Sequence, residues 1–317
     1  MVSGEIVTAY AKAGDLDESY RVYQTVGFAG RGTEEDPYQI YTAQELANVN
    51  GSGYYKLMND IDLTEWITAN SPSQGWIPLG RNGNVMSNLL GNNHTISGLW
   101  CNTEDDFTAL IAVAEGITIK DLTVETSTDK NITGGNYTAV IIGKASDCTM
   151  INCHVTGSIV GGDYLGGLAG SVTSGSFENC SSEITIQGKN YIGGIMGYSS
   201  GSINNCFTNN TITGENYIGG IVGSISNTIS NCRAENNITG INSSSDSSYA
   251  GGIAGYSTHN ITNCYSKGSV NQSSSSDCYV GGITGYNAGA SISNSYSAVG
   301  LSSSQYDFNH ITITYTH

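Results

Sequence analysis

"NYIGGIMGYSSGSINNC", residues 190–206, sets the reading of the whole chain. It places Tyr191, the pair Gly193–Gly194, Gly197 and then Asn205–Cys206 in close succession, with no helical apolar period. The order recurs. "YLGGLAG" begins at Tyr164, "YIGGIVG" at Tyr217, "YAGGIAG" at Tyr249 and "YVGGITG" at Tyr279. The first glycines of the pairs stand at 166, 193, 219, 251 and 281, giving spacings of 27, 26, 32 and 30 residues. Asn–Cys pairs follow at 152–153, 179–180, 205–206, 231–232 and 263–264, and Asn294–Ser295 closes the series. Upstream, "YTAVIIG" at 137–143 is a copy without the glycine pair, and "FTALIAV" at 107–113 is an earlier one.

Repeats of this length mark solenoids and propellers. Gly, Ser and Asn interrupt every run, which excludes helical repeats. Short Ile/Val/Thr runs punctuated by Gly and Asn read as strands, about three per unit. These are the Tyr–x–Gly–Gly–Ile segment, the Ile–x–Asn–Cys segment and a segment such as "EITIQG". A propeller blade usually takes about forty residues and four strands, so the shorter unit predicts a parallel β-helix. Crossover preference makes it right-handed. Coils then stack about 4.8 Å apart and equivalent residues form ladders.

The glycine pair is assigned to a corner, where it supplies positive φ or lets neighbouring backbone approach. Asn before Cys suits a second corner, with amides bonding along the ladder. Leu168, Ile195, Ile221, Ile253 and Ile283 are expected to fill the bore, as are Cys153, Cys180, Cys206, Cys232 and Cys264. Apolar residues flank the glycine pair on both sides, so the sequence leaves open which side faces inward.

The chain of 317 residues is 38% hydrophobic and only 12% charged, with 42 Gly and 3 Pro. Collagen is excluded because the glycines keep no three-residue period, and the low proline content argues against disorder. With 11 basic and 27 acidic residues the net charge is −16, which repels nucleic acid and anionic membranes. No apolar run reaches the length of a membrane helix, so no membrane insertion is expected. "MVSGEIVTAYAKAG" has no basic start and apolar core, hence no signal peptide. Of the two readings, intracellular protein or segment of a longer secreted chain, the Ser/Thr/Asn/Gly/Tyr-rich composition favours the second.

The motifs "GLAG" at 167–170, "GIMG" at 194–197, "GIVG" at 220–223, "GIAG" at 252–255 and "GITG" at 282–285 resemble the GLUG motif of bacterial surface proteins. So do "GTEEDPYQIYTAQEL" at 32–46, "YKLMNDIDLT" at 55–64, "WIPLG" at 76–80 and "GNNHTISGL" at 91–99. The resemblance runs over roughly residues 30–300. It implies a cell-surface β-helix of the kind found in adhesins and in non-catalytic regions of immunoglobulin A peptidases, and it brings no catalytic residues.

"TAQELANVN" has Thr42 and Glu45 in capping-box spacing, predicting a short helix that covers the first coil. Residues 1–54 are read as N-terminal segment and cap, and 55–317 as β-helix, with regular coils over about 137–300. The end, "HITITYTH", offers no comparable stopper, so a longer parent chain or a covering neighbour is expected.

Among the candidate functional groups, the 8 cysteines include five on one ladder. An odd, straight row favours free buried thiols over disulfides or zinc. Tyr137, Tyr164, Tyr191, Tyr217, Tyr249 and Tyr279 form a column, with Tyr198, Tyr256 and Tyr286 in a partial second one. The column is either a packed corner ladder or a surface of flat faces and polar tips for a glycan or partner protein. The longer repeats carry "NSSSDSS" (242–248) and "NQSSSSD" (271–277), expected as adjacent loops bearing Asp246 and Asp277. They are either solvated loops or a binding surface.

The acidic runs at 34–36, 59–62 and 104–106 lack calcium-loop spacing, and Asp60 and Asp62 are read as turn caps. Lys144, Lys189, Arg233 and Lys267 share no repeat position, as a lyase would want. Asp163, Glu178, Glu183, Glu215 and Glu235 show no glycosidase pairing. The histidines form no HExxH motif. Thr–x–Thr pairs do not recur on one ladder, so ice binding goes no further. The sequence therefore predicts an extracellular, adhesin-like binding segment without cofactor or metal, whose partner is a host glycan or surface protein. A passive stalk and a polysaccharide lyase or glycosidase are the alternatives.

Overall fold

The structure is a computed structural model in which residues 27–81, 88–242, 246–274 and 276–303 are described. The stretch "HITITYTH" and parts of both Ser-rich segments lie outside the described residues. The parallel β-helix expected from the repeat is present, a solenoid of about 8 turns with two helices among the described residues.

One coil shows how the sequence makes the turn. Asn190–Gly193, Met196–Ser199, Ser202–Asn204 and Thr211–Gly214 are its main strands. Each pairs in register with the next coil, through Ile192 with Ile218, Met196 with Val222, Ile203 with Ile229 and Ile212 with Ile238. The Tyr–x–Gly–Gly–Ile segment was expected as one strand. The structure cuts that strand off at Gly193, and a new strand in a different sheet begins at Met196. That cut answers which side faces inward: Ile192, Ile195 and Met196 are all buried, because the chain folds back between them.

The motif glycines act by close approach, not by positive φ. A β-carbon on Gly193 would lie 2.2 Å from the Met196 oxygen and 2.5 Å from the Val222 α-carbon. Neither Gly193 nor Gly194 is among the positive-φ residues; the tyrosine takes that conformation instead. Phe107, Tyr137, Tyr164, Tyr191 and Tyr217 have φ of 62°, 59°, 63°, 57° and 53°. An L side chain there costs roughly 1–2 kcal/mol, so the corner spends stability on every one of these coils.

The Asn corner is as expected. Asn152, Asn179, Asn205, Asn231, Asn263 and Asn294 all have φ between 48° and 55°. Amides bond between two neighbouring pairs of the row, Asn205 Nδ2 to Asn179 Oδ1 at 2.5 Å and Asn263 Nδ2 to Asn231 Oδ1 at 3.1 Å. Elsewhere Asn231 Nδ2 donates to Asn204 Oδ1 at 2.8 Å and Asn152 Nδ2 to Asp121 Oδ1 at 2.7 Å. Inside, Leu168, Ile195, Ile221, Ile253 and Ile283 line the bore with the five ladder cysteines, all of them buried.

At the N-terminal end, helix α1 (Ala43–Ala47) has the predicted capping box: Glu45 N donates to Thr42 Oγ1 and Thr42 N to Glu45 Oε2. Its Leu46 is buried. The ladder already includes Tyr38–Ile40, which pairs with Tyr54–Leu57 around this helix. Helix α2 (Thr64–Asn70), which the sequence did not suggest, follows Asp62 and brings Trp66 to 5.4 Å from Trp76.

Candidate functional site

The tyrosine column forms as a continuous stack along the corner where the Tyr–x–Gly–Gly strands meet the next sheet. Ring centroids from Phe107 through Tyr137, Tyr164, Tyr191 and Tyr217 are 5.0, 4.8, 4.7 and 4.5 Å apart, with interplanar angles of 15° or less. Tyr249 is tilted by 37° from Tyr217, and Tyr249 and Tyr279 lack the positive φ of the preceding members. All six tyrosines are half-buried.

This geometry bears on the two readings of the column. Parallel rings at these distances cover one another's faces, so most of the column presents ring edges and hydroxyls rather than flat apolar faces. Burial first, then the neighbouring phenols, push the Tyr191 hydroxyl up to about 12, and burial raises Tyr164 and Tyr249 as well. These phenols are neutral donors and acceptors at physiological pH.

The second column joins the first at one end. Tyr256 and Tyr286 stack at 5.4 Å and 8°, and meet Tyr249 edge-on at 6.0 and 5.5 Å. Tyr279 lies 5.7 Å from Tyr286 at 88°. Four tyrosines thus form a right-angled corner, and Tyr286 is 39% exposed. Tyr198 stands apart from this group, with its hydroxyl bonded to Ser200 Oγ at 3.1 Å.

The second Ser-rich segment departs from the expected loop, while residues 243–245 of the first lie outside the described residues. Residues 271–274 of the second segment extend the strand Tyr265–Ser274, which pairs with the strand Arg233–Asn242 in register to Asn242 with Ser274. Of the first segment, Asn242 alone lies in a strand of this pair. Parallel neighbours let the added residues continue the ladder instead of leaving it for solvent. Asp246 and Asp277 lie exposed beyond these strands, on successive coils. Asp246 O accepts from Asn242 Nδ2 at 3.0 Å, and Asp277 O accepts from Ser248 N at 2.9 Å.

One outward row escaped the sequence reading. Phe207, Arg233, Tyr265 and Tyr296 are register partners on successive coils, each the residue after the Asn–Cys or Asn–Ser pair. The Arg233 guanidinium lies 5.6 Å from the Phe207 ring and 6.0 Å from the Tyr265 ring, and pairs with Glu235. Strand alternation signals this row, since the residue following an inward cysteine points out.

The acidic runs are engaged in local structure. Asp62 Oδ1 accepts from Thr64 N at 2.9 Å, and Asp60 Oδ1 accepts from Thr95 N at 2.9 Å. The Thr64 hydroxyl and then its N–H hold the Asp62 carboxyl below the usual aspartate range, and the Thr95 N–H, followed by His94, does the same for Asp60. Asp105 pairs with Arg81, and Asp106 Oδ1 accepts from Asn136 N at 2.8 Å. Lys267 is in register with Glu235 and Arg233 with Tyr265, so these bases occupy different rows. All eight cysteines are free and buried. Burial pushes the Cys101 thiol up to about 12 and raises that of Cys148.

Comparison with known proteins agrees with this repeat geometry. The family described as "The GLUG motif" matches residues 161–187, 214–239 and 246–271. The chain carries GLUG repeats. Over 98 residues it is 40% identical to a protein of Evansella cellulosilytica named "Putative Gly-rich membrane protein". That match covers 27% of this chain and 11% of the relative, so the chain corresponds to a small part of that protein's length. Among the described residues of the GLUG-repeat chain, no helix is long and apolar enough to cross a membrane. The fold is also that of a crystal structure from Bacteroides ovatus, described as a "putative immunoglobulin A1 protease". The TM-score is 0.56 at 21% identity, over 86% of each chain.

Proposed function

We propose that this GLUG-repeat chain is a non-catalytic, extracellular binding segment of a longer bacterial surface protein. Its partner is a glycan or a host surface protein. The carrying observation is the corner of Tyr249, Tyr256, Tyr279 and Tyr286, where two ring rows meet at right angles and Tyr286 reaches solvent. Aromatic rings with neutral hydroxyl tips suit sugar and protein contacts alike, and they do so without the charge that this acidic chain would oppose. The surface location rests on the kinship to GLUG-bearing proteins and on the Ser/Thr/Asn-rich composition.

The stalk reading draws support from a different observation. Between Phe107 and Tyr217 the ring faces are consumed by stacking, so that part of the column acts as a stiff corner. Binding of the chain to a glycan and mucin array separates the two readings, run with Tyr256→Ala/Tyr286→Ala and Tyr191→Ala/Tyr217→Ala variants. Binding lost in the first variant and kept in the second is the expected result. A folded chain that retains nothing on the array would make it a spacer.

A further inference from the structure

A cavity of about 380 Å³ opens beside the paired strands Cys101–Asn102 and Ile132–Thr133, on the N-terminal coils and apart from the tyrosine corner. Trp100 forms part of its floor and is 7% exposed. The Lys130 ammonium sits over the indole, with Nζ 3.6 Å from the ring centroid. Ser73, Asn102, Asn131 and Thr133 supply hydroxyls and amides to the wall. Asn131 Oδ1 accepts a hydrogen bond from Ser158 Oγ, so its side-chain nitrogen remains a donor.

Two features of this cavity bear on what it holds. Among the described residues Lys130 forms no ion pair with a carboxylate, in a chain with 27 acids and 11 bases. A lysine held on an aromatic face has also surrendered part of its side-chain freedom, so less remains to be lost when it captures an anion. The volume falls at the small end of small-molecule sites. Its lining is evenly divided, with Pro72, Trp100 and Cys101 offering apolar surface beside polar groups and one cation, which suits a ligand with both a hydroxylated edge and an apolar face. A phosphate group would call for more than one cation or a nest of backbone donors.

We infer that the cavity binds one acidic monosaccharide unit, a hexuronate or a sugar of like chemistry. Lys130 takes the carboxylate through a charge-assisted hydrogen bond, and Ser73, Asn102, Asn131 and Thr133 take sugar hydroxyls. A neutral sugar forfeits the ammonium contact, and a simple carboxylate forfeits the hydroxyl contacts. The inference does not depend on the tyrosine corner.

The test is a titration of the isotope-labelled full chain with D-galacturonate, D-galactose, acetate and inorganic phosphate at one ionic strength. The Trp100 indole N–H and Lys130 amide resonances report binding. Galacturonate is expected to shift both saturably and to bind at least about tenfold more tightly than the other three. Lys130→Gln removes the charge in favour of a shorter polar side chain at an exposed position and is expected to weaken galacturonate about tenfold or more, with the rest of the spectrum superposing on the parent. Galacturonate that leaves these resonances unmoved, or binds no better than galactose or acetate, overturns the inference. So does equal binding by Lys130→Gln, and tighter binding of phosphate reassigns the cavity as a phosphate site.

Discussion

The Tyr191 carbonyl oxygen lies so close to Gly197 that a β-carbon on the glycine would stand 2.5 Å from it. The relationship repeats between Tyr164 and Gly170 at 2.7 Å, and between Tyr217 and Gly223 at 2.6 Å. The last glycine of the motif therefore exists to receive the tyrosine backbone of its own coil. Tyrosine and glycine are two parts of one device: the left-handed tyrosine begins the fold-back, and the missing side chain lets the two strands close.

Gly197→Ala is accordingly expected to destabilise the chain by about 2 kcal/mol, as overpacking against fixed backbone does. Gly300→Ala is the control. Nothing lies within 4 Å of a β-carbon there, and its φ is not positive, so its effect should stay within about 0.5 kcal/mol. Urea midpoints compared at unchanged slope decide the matter. Equal midpoints for the two variants would mean that the fold-back yields to a methyl group.

Much of this architecture was legible in the sequence because certain residues have only one good use. Asn205 and its equivalents declared a left-handed corner through the known tolerance of Asn, and Ile195 and Cys206 declared the bore through their place on a ladder. Tyr191 concealed its conformation. Tyrosine has no preference for positive φ, and the glycines two positions on absorbed that expectation. The covering of ring faces was equally hidden, since it depends on how closely successive coils align their rings. Phe207 and Arg233 were readable in principle, one residue past each inward cysteine. The contact of Lys130 with Trp100 was not, because it lies in coils that precede the regular repeat and carry no register in their letters.

Replacing Tyr191 separates backbone cost from ring packing. Tyr191→Ala keeps the strained φ and loses stacking on Tyr164 and Tyr217, each pair contributing roughly 0.5–1.5 kcal/mol. A loss of about 2 kcal/mol is expected. Tyr191→Asn also loses the stack but suits the left-handed region better, so it should cost measurably less than alanine. If thermal and urea unfolding rank asparagine at or below alanine, backbone strain is not what the tyrosine is overcoming.

The cysteines make a chemical prediction. Thiol reagents must reach the sulfur as well as find it ionised, and all eight thiols are buried; at Cys101 burial also raises the thiol to about 12. All 8 thiols should be silent toward an aromatic disulfide reagent at about pH 8 in the folded chain. All should react once denaturant is added. Prompt reaction of Cys153, Cys180, Cys206, Cys232 or Cys264 in the native chain would break the reading of the row as core filler.

Alkali tests the tyrosine stack from the opposite direction. The Tyr191 phenol is raised to about 12 by burial and by Tyr217 and Tyr164, against roughly 10 in an unfolded chain. The folded state holds a proton that the unfolded state gives up across that interval. The stabilising contribution is thus fully present below about pH 10 and is lost as the pH rises through about 12. Ultraviolet phenolate absorbance of the parent minus that of Tyr191→Phe isolates this one group. Its midpoint should lie well above that of free tyrosine, and urea midpoints for the parent should fall over the same interval more steeply than for the variant. A Tyr191 that ionises near 10 would place its hydroxyl in open water and return the column to the status of an exposed face.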